Sequence, residues 1–462
     1  MLDVILRNGM VVVGDACVPA DVGIEGERIA TVAGPGSLPG GTQSLDVRGC
    51  YVVPGGVDPH VHAATTLGEF TTLDDFETCT RAAAWGGTTT VVDFAIPPPR
   101  GARPLATARE RIARARREAV VDVAFHACLV AGDDASLGEI PALAAEGLTT
   151  VKVFTIYRDL VMLALDEVHE CMRAVAEADG VVLVHAESPH IVEPLRQRFA
   201  AAGTTDACHH ALSRPVEAEV DMVRSVIELL RLTGCRGYVV HVTSPEAVAA
   251  IARARLDGVR IWAETCPQYA FLDDSRYAGE DGELYICSPP LRPRAVAERL
   301  WDMVGRGAVD VWGSDHCCYD TEQKHRHRGD FTRAPNGLPG VELRAPLLFS
   351  NGVATGRMSV PRFAALTATN PAKLNGLFPR KGVIAPGSDA DLAVWDPARD
   401  VTVTASGLHM ATDYTPFEGM RIEGWPRTVL SRGRVLVDGG RFDGAAGTGV
   451  VLAAGRPVSP AR

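Results

Sequence analysis

Tyr51-Val-Val-Pro-Gly-Gly-Val-Asp58-Pro-His60-Val-His62 is the stretch on which the reading of this chain turns. Residues 51–57 form an apolar run that reads as a short buried strand loosening at its glycines, with Asp58-Pro-His60-Val-His62 at its end. Side chains two apart in a strand leave the same face, so His60 and His62 point together into one cavity. Two converging imidazoles are a chelating pair for a borderline divalent metal. The bland alternative is a pair of core histidines bonded to neighbours, and further candidate ligands downstream weigh against it.

Beyond this stretch, apolar strand candidates alternate with helical periodicity. Counting 52–62 as the first strand, the others are 88–95, 121–129, 149–155, 181–185, 238–241, 260–264 and 309–313. Helices fill gaps between them at 73–85, 106–119, 165–178, 217–233 and 245–256. Eight β-then-α units predict an α/β chain folded as a (β/α)8 TIM-like barrel, not an open doubly wound sheet. No GxGxxG follows the first strand, so a dinucleotide site has no support.

The two ends of the chain read differently. Short strands separated by Gly and Asp turns occupy 3–14, 20–24 and 28–32, and the same style returns at 390–395, 401–404 and 426–437. Neither set can bury both faces alone, so the two are expected to pair into one small β-sandwich domain that brings the chain ends together. The expected partition is 1–52 and 381–450 for that domain, 53–380 for the barrel, and a disordered or arm-like tail over 451–462.

Composition narrows the class. Of 462 residues, 46% are hydrophobic and 22% charged, as in a packed soluble enzyme. A net charge of −11 leaves no basic stripe for phosphate, which argues against a nucleic-acid partner. The Arg109–Arg117 stretch, interleaved with Ala and Glu, reads as the solvated side of a helix. Eleven cysteines without a CxxC pair fit reduced thiols better than a disulfide framework. With no basic-then-apolar leader and no apolar run of about 18 residues, neither secretion nor membrane spanning is expected, and the expected compartment is the cytoplasm.

Barrel chemistry collects at the C-terminal ends of the strands, which tests the motif independently. His60 and His62 end strand one, Lys152 lies in strand four, His185 ends strand five, His241 ends strand six and Asp315 follows strand eight. Four imidazoles, a lysine and a carboxylate on one rim exceed the needs of one tetrahedral ion, so two zinc ions are expected. An ordinary lysine carries the wrong charge there. A lysine whose amine has captured CO2 offers two oxygens, one per metal, and a bridging hydroxide is then the nucleophile at neutral pH. Asp315 serves as ligand and as proton shuttle to the departing nitrogen, and the Tyr157 hydroxyl can donate to the oxyanion. The competing readings are a paired buried lysine, a turn aspartate and a rim aromatic. Cys317 and Cys318 read as packing, His316 as orienting a ligand, and His209-His210 and His325-Arg-His327 as surface. Pro97-Pro-Pro99 reads as a rigid loop shaping the rim.

Taken together, the chain resembles the amidohydrolase superfamily, and within it the dihydropyrimidinase and D-hydantoinase group of cyclic amidases. The resemblance is carried by Asp58-Pro-His60-Val-His62, Lys152-Val-Phe-Thr-Ile-Tyr157, Val184-His185-Ala-Glu, His241-Val-Thr-Ser and Glu264-Thr-Cys-Pro-Gln-Tyr269. Further motifs are Cys287-Ser288-Pro-Pro-Leu-Arg292, Gly313-Ser-Asp315-His316-Cys317, Pro335-Asn336-Gly-Leu-Pro-Gly-Val-Glu342, Asn370-Pro-Ala-Lys, Gly387-Ser-Asp-Ala-Asp391-Leu and Asp413-Tyr-Thr-Pro-Phe-Glu418-Gly. They keep their order from about residue 1 to 440.

The resemblance implies a homotetramer (or a homodimer) with two zinc ions per subunit, bridged by N6-carboxylysine at Lys152 and by hydroxide. One ion would take His60, His62, Lys152 and Asp315, the other Lys152, His185 and His241. It further implies that Ser288 and Asn336 hold a cyclic ureide through backbone groups, that Tyr157 polarises its carbonyl, and that ring opening gives an N-carbamoyl amino acid. Two stretches depart from the group: Ala63-Ala-Thr-Thr-Leu-Gly-Glu69-Phe70 is smaller and more polar, and Tyr157-Arg158-Asp159-Leu-Val-Met162 is charged. Both border the substituent pocket, so a polar exocyclic group or an unsubstituted dihydropyrimidine enters the range of substrates. An allantoinase or another ring-opening amidase is the near alternative. A non-catalytic scaffold is opposed by the intact ligand positions, and a one-metal deaminase by Lys152.

Overall fold

The computed structural model describes residues 1–98, 103–158 and 160–460. Pro99 of the expected rim loop, Asp159 and the last two residues of the expected tail lie outside these. Eight parallel strands run Gly56–Val61, Thr88–Ala95, Asp122–Cys128, Thr150–Phe154, Val181–His185, Arg236–Val239, Ile261–Thr265 and Val311–Trp312, each hydrogen-bonded to the next in chain order. Every residue of these strands is buried. That is the signature of strands covered on both faces, and explains why their sequences read as continuous Val- and Thr-rich runs and not as alternations. Strands one and eight are joined just beyond their ends, where His62 N–H donates to the His316 carbonyl at 2.8 Å and His316 N–H to that of His60 at 3.3 Å. Inside, Phe94, Leu183, Tyr238, Val240, Trp262 and Val311 form the barrel's own core.

The first strand is shorter than expected. Residues 52–62 divide at Gly55: Tyr51–Pro54 pairs antiparallel with Leu392–Trp395 in another sheet, and only Gly56–Val61 joins the barrel. A Cβ at Gly55 would overlap the Thr89 hydroxyl, so a glycine is required where the chain passes from one sheet to the other. The second sheet has nine strands drawn from both chain ends, joined through that pairing. Its inward side chains, among them Val4, Val22, Ile24, Leu392, Val394 and Leu430, close on a separate core. The two bodies are pinned together by Lys381, whose buried ammonium reaches Asp122 at 2.6 Å, Asp391 at 2.6 Å and Asp389 at 2.9 Å.

Of the two forms expected for the tail, disordered or arm-like, the disordered one does not hold over 451–455. Residues 450–455 run along the barrel: Val123 N–H donates to Val450 O, Leu452 N–H to Val123 O and Ala454 N–H to Gly147 O, with Leu452 buried. Small residues let this segment lie flat against the strand ends, and its backbone groups find partners there. The Arg109–Arg117 stretch lies in the helix Pro104–Glu118, whose buried residues are Pro104, Thr107, Ala108 and Ala115.

Candidate functional site

The strand ends deliver the candidate ligands to one rim, and three of the residues there have left-handed backbones: Tyr157 (φ 70°), His241 (φ 39°) and Asp315 (φ 51°). Such conformations are uncommon for non-glycine residues and cluster where a side chain must be aimed. Past His241 the chain is caught by Ser244, whose hydroxyl accepts from Ala247 N–H at the start of the helix Pro245–Leu256.

His60 sits between two carboxylates. Its Nδ1 lies 2.6 Å from Glu264 Oε1 and its Nε2 3.1 Å from Asp315 Oδ1; His62 Nε2 lies 3.5 Å from the same Asp315 oxygen. Ring centroids are 5.3 Å apart for His60 and His62, 5.4 Å for His60 and His241, and 4.5 Å for His185 and His241. His60, His241 and Asp315 each present a ligand atom within 4.8 Å of the other two. Lys152 is buried, its Nζ 5.1 Å from the centre of the Phe94 ring and 4.8 Å from that of Phe154, and it makes no ion pair among the described residues. A paired buried lysine is therefore not what occupies this position.

Burial sets the protonation of the cluster. It pushes His62 down to about 4, lowers His185 and His241, and brings Lys152 down to about 8. For His60, burial is outweighed by Glu264 and Asp315, which raise it to about 9. Asp315 is held well below the usual carboxylate range, against burial, by His60 and His62. Neutral imidazoles with free lone pairs are what divalent metals bind. His62 Nδ1 and His241 Nδ1 are buried with no hydrogen-bond partner, a costly arrangement that metal ligation of these rings would relieve. The donor set fits zinc: nitrogens, a carboxylate and an amine able to become one.

Above the cluster opens a cavity of about 600 Å³ lined by Lys152, Tyr157, His185, His241, Ser288 and Asn336, among others. Ser288 Oγ donates to Asn336 Oδ1 at 3.1 Å. The loops that carry these two are tied together, as Gly337 N–H donates to Ile286 O and the buried Lys324 Nζ to Ile286 O at 2.8 Å and Pro335 O at 3.0 Å. At Gly337 (φ 154°) a Cβ would collide with the Cys317 carbonyl, so Asn336 is held close over the rim. Tyr157 lies against Arg214, its ring centre 5.4 Å from the guanidinium, and burial raises its hydroxyl's pKa.

All the sequence-predicted site residues thus gather at one cavity. Sequence reasoning missed those that hold them. Glu264 receives His60 Nδ1, the Tyr238 hydroxyl at 2.5 Å and the His241 N–H at 3.2 Å. Glu187 receives His185 Nε2 at 2.8 Å and Arg214 at 2.6 Å. A signal for Glu264 existed, since it lies two residues from Trp262 and so on the barrel's inner face. His210, expected at the surface, is buried and bonds through Nε2 to the Cys287 carbonyl; it closes the base of the loop that carries Ser288. His327 bonds Glu69 at 2.8 Å. Asp74, His316 and Cys318 make a second buried trio, but it is already satisfied: His316 Nε2 and Cys318 Sγ both engage Asp74, and Gly340 N–H donates to His316 Nδ1. Through its backbone, His316 fixes the strand of His60 and His62.

Known proteins share this fold and place the chain in a family. The amidohydrolase family model matches residues 51–436. The chain is 40% identical over 450 residues to a D-hydantoinase of Geobacillus stearothermophilus, covering 96% of this chain and 95% of that protein. A D-phenylhydantoinase of Escherichia coli O1:K1 is 40% identical over 454 residues, 97% of each chain. The crystal structure of dihydropyrimidinase from Brevibacillus agri NCHU1002 superposes with a TM-score of 0.95 at 38% identity, covering 100% of both chains. An L-hydantoinase (dihydropyrimidinase) from Arthrobacter aurescens superposes at 0.90 with 30% identity, covering 98% of this chain and 100% of that one. With its barrel, its rim of metal-ligand types and these relatives, the chain belongs to the amidohydrolase family, in the branch of the hydantoinases and dihydropyrimidinases.

Proposed function

We propose that this hydrolase of cyclic amides opens a dihydropyrimidine or a 5-substituted hydantoin to an N-carbamoyl amino acid at a two-zinc centre. His60, His62, Lys152 and Asp315 would hold one ion and Lys152, His185 and His241 the other, with Lys152 as N6-carboxylysine. When bound, the ions supply Lewis acidity and lower the pKa of water. Asp315 takes the proton from the attacking water and returns it to the ring nitrogen as the C–N bond breaks. The Tyr157 hydroxyl, kept protonated by burial, donates to the carbonyl oxygen. Backbone groups at Ser288 and Asn336 complement the alternating N–H and C=O edge of the ureide. On the same proposal the protein is cytoplasmic and a homotetramer (or a homodimer), with no nucleic-acid partner, which its net charge of −11 supports; no helix among the described residues is long and apolar enough to cross a membrane.

The observation that carries this reading is the unpaired, buried Lys152 amine among four imidazoles and Asp315 beneath the cavity. A panel of ring-opening assays on zinc-loaded protein tests it, with dihydrouracil, 5-substituted hydantoins of both hands, allantoin and dihydroorotate. Turnover of the first two classes and little of dihydroorotate is expected. Preference for allantoin would overturn the choice of substrate.

A further inference from the structure

We infer that the mouth of this cavity is an anion subsite, at which Arg196 and Arg333 hold a carboxylate on the end of the substrate's exocyclic arm. The inference rests on the ring-opening reading above and adds the class of substituent to it.

The helix Pro189–Ala201 turns Val192, Glu193, Arg196 and Gln197 toward the cavity, the i, i+1, i+4, i+5 spacing of one helix face. Arg158, on the loop after strand four, pairs with Glu193 at 3.2 Å. Arg196 instead donates Nη2 to the Thr332 carbonyl at 2.7 Å and has no carboxylate partner among the described residues. A guanidinium carries five N–H donors in a fork suited to carboxylate, so most of this one is available to a ligand. Arg333, the next residue after Thr332, reaches a carboxylate among the described residues only at Glu69, 3.9 Å away. Glu69 is already engaged by His327 at 2.8 Å and by Arg326 at 4.0 Å. Around the mouth, Arg158, Arg196, Arg326 and Arg333 thus face two described carboxylates, Glu69 and Glu193.

This is local positive charge on a chain whose net charge is −11. A cleft of one sign concentrates ligands of the other. Leu67, Phe70, Ile96 and Phe154 give the same cavity apolar lining, which suits the methylenes of an arm whose tip is charged. Arg333 lies three residues before Asn336, so the loop expected to grip the ring also carries the cation expected to grip the arm. The ring-opened product is then the N-carbamoyl derivative of an acidic amino acid.

The test compares kcat/KM for 5-(2-carboxyethyl)hydantoin with that for the carboxamide of the same shape, on zinc-loaded protein at low and high salt. The acid is expected to be preferred at least tenfold, with the preference shrinking in salt. In Arg196→Met and in Arg333→Met the acid-to-amide ratio should fall on the order of tenfold, about 1.4 kcal/mol and the size of one charge-assisted hydrogen bond. Equal turnover of acid and amide, or a ratio unmoved in both variants, would overturn the anion subsite while leaving ring opening intact. If neither hydantoin nor dihydrouracil is opened, the ring-opening reading falls and the subsite with it.

Discussion

Glu264 Oε1 lies 2.6 Å from His60 Nδ1, and that bond decides which nitrogen of the imidazole faces Asp315, 3.1 Å away on the other side. A carboxylate behind a histidine fixes its tautomer and makes it a better ligand. Because Glu264 also holds Tyr238 and the His241 backbone, it aims two candidate ligands from strand seven. Glu264→Gln keeps the shape but not the charge. Zinc affinity measured against a competing chelator should fall about 10- to 100-fold; unchanged affinity would remove the aiming role.

Lys324 braces the loops of Ser288 and Asn336 from beneath. Its ammonium is fully buried, burial brings its pKa down to about 7, and its only hydrogen-bond partners among the described residues are the Ile286 and Pro335 carbonyls. In Lys324→Met the Pro335 carbonyl loses its donor, at a cost of roughly 1–3 kcal/mol, and the Ile286 carbonyl keeps only the Gly337 N–H. KM for the cyclic substrate is expected to rise at least several-fold while zinc content stays at the wild-type value. A change in kcat alone, with KM intact, would contradict a loop-positioning role.

Lys381 joins the barrel to the nine-stranded sheet and carries a pH signature. Burial opposes its charge, but Asp391, Asp122 and Asp389 hold its pKa above the usual lysine range, and Lys381 in turn holds Asp389 below the usual carboxylate range. The raised lysine contributes stability that is fully present below its unfolded pKa of about 10.4. The depressed aspartate contributes stability present above about pH 4 and lost as pH falls through its folded value. Lys381→Met should therefore cost roughly 3–5 kcal/mol in urea unfolding near neutral pH. The gap to wild type should narrow as pH falls below about 4. A gap independent of pH would mean that packing, not charge, is lost.

Much of the barrel was legible because strands buried on both faces read as unbroken apolar runs, and because histidines at strand ends stand out against them. The break at Gly55 was not, since the run from Tyr51 to Val57 stays apolar across it and only the tertiary contact with Thr89 shows where the chain changes sheets. His210 looked like a surface residue from its polar neighbours, yet its short helix packs it against the Cys287 loop. The tail's small residues resembled a disordered end, and its backbone pairing with Val123 is invisible to any local pattern. Ligand types show in sequence; of the carboxylates that aim them, Glu264 is signalled by its two-residue spacing from Trp262, whereas Glu187 shows only when the strands are closed.

Lys152, as a carboxylate, is proposed to hold two metals. Elemental analysis of zinc per chain, after loading in bicarbonate, tests it most directly when wild type and Lys152→Ala are compared with and without a short carboxylic acid. Two ions per chain are expected in the wild type, with loss of metal and activity together in the variant and partial return of both with the added acid. One ion per fully active wild-type chain, or a variant that keeps both metals unaided, would contradict it.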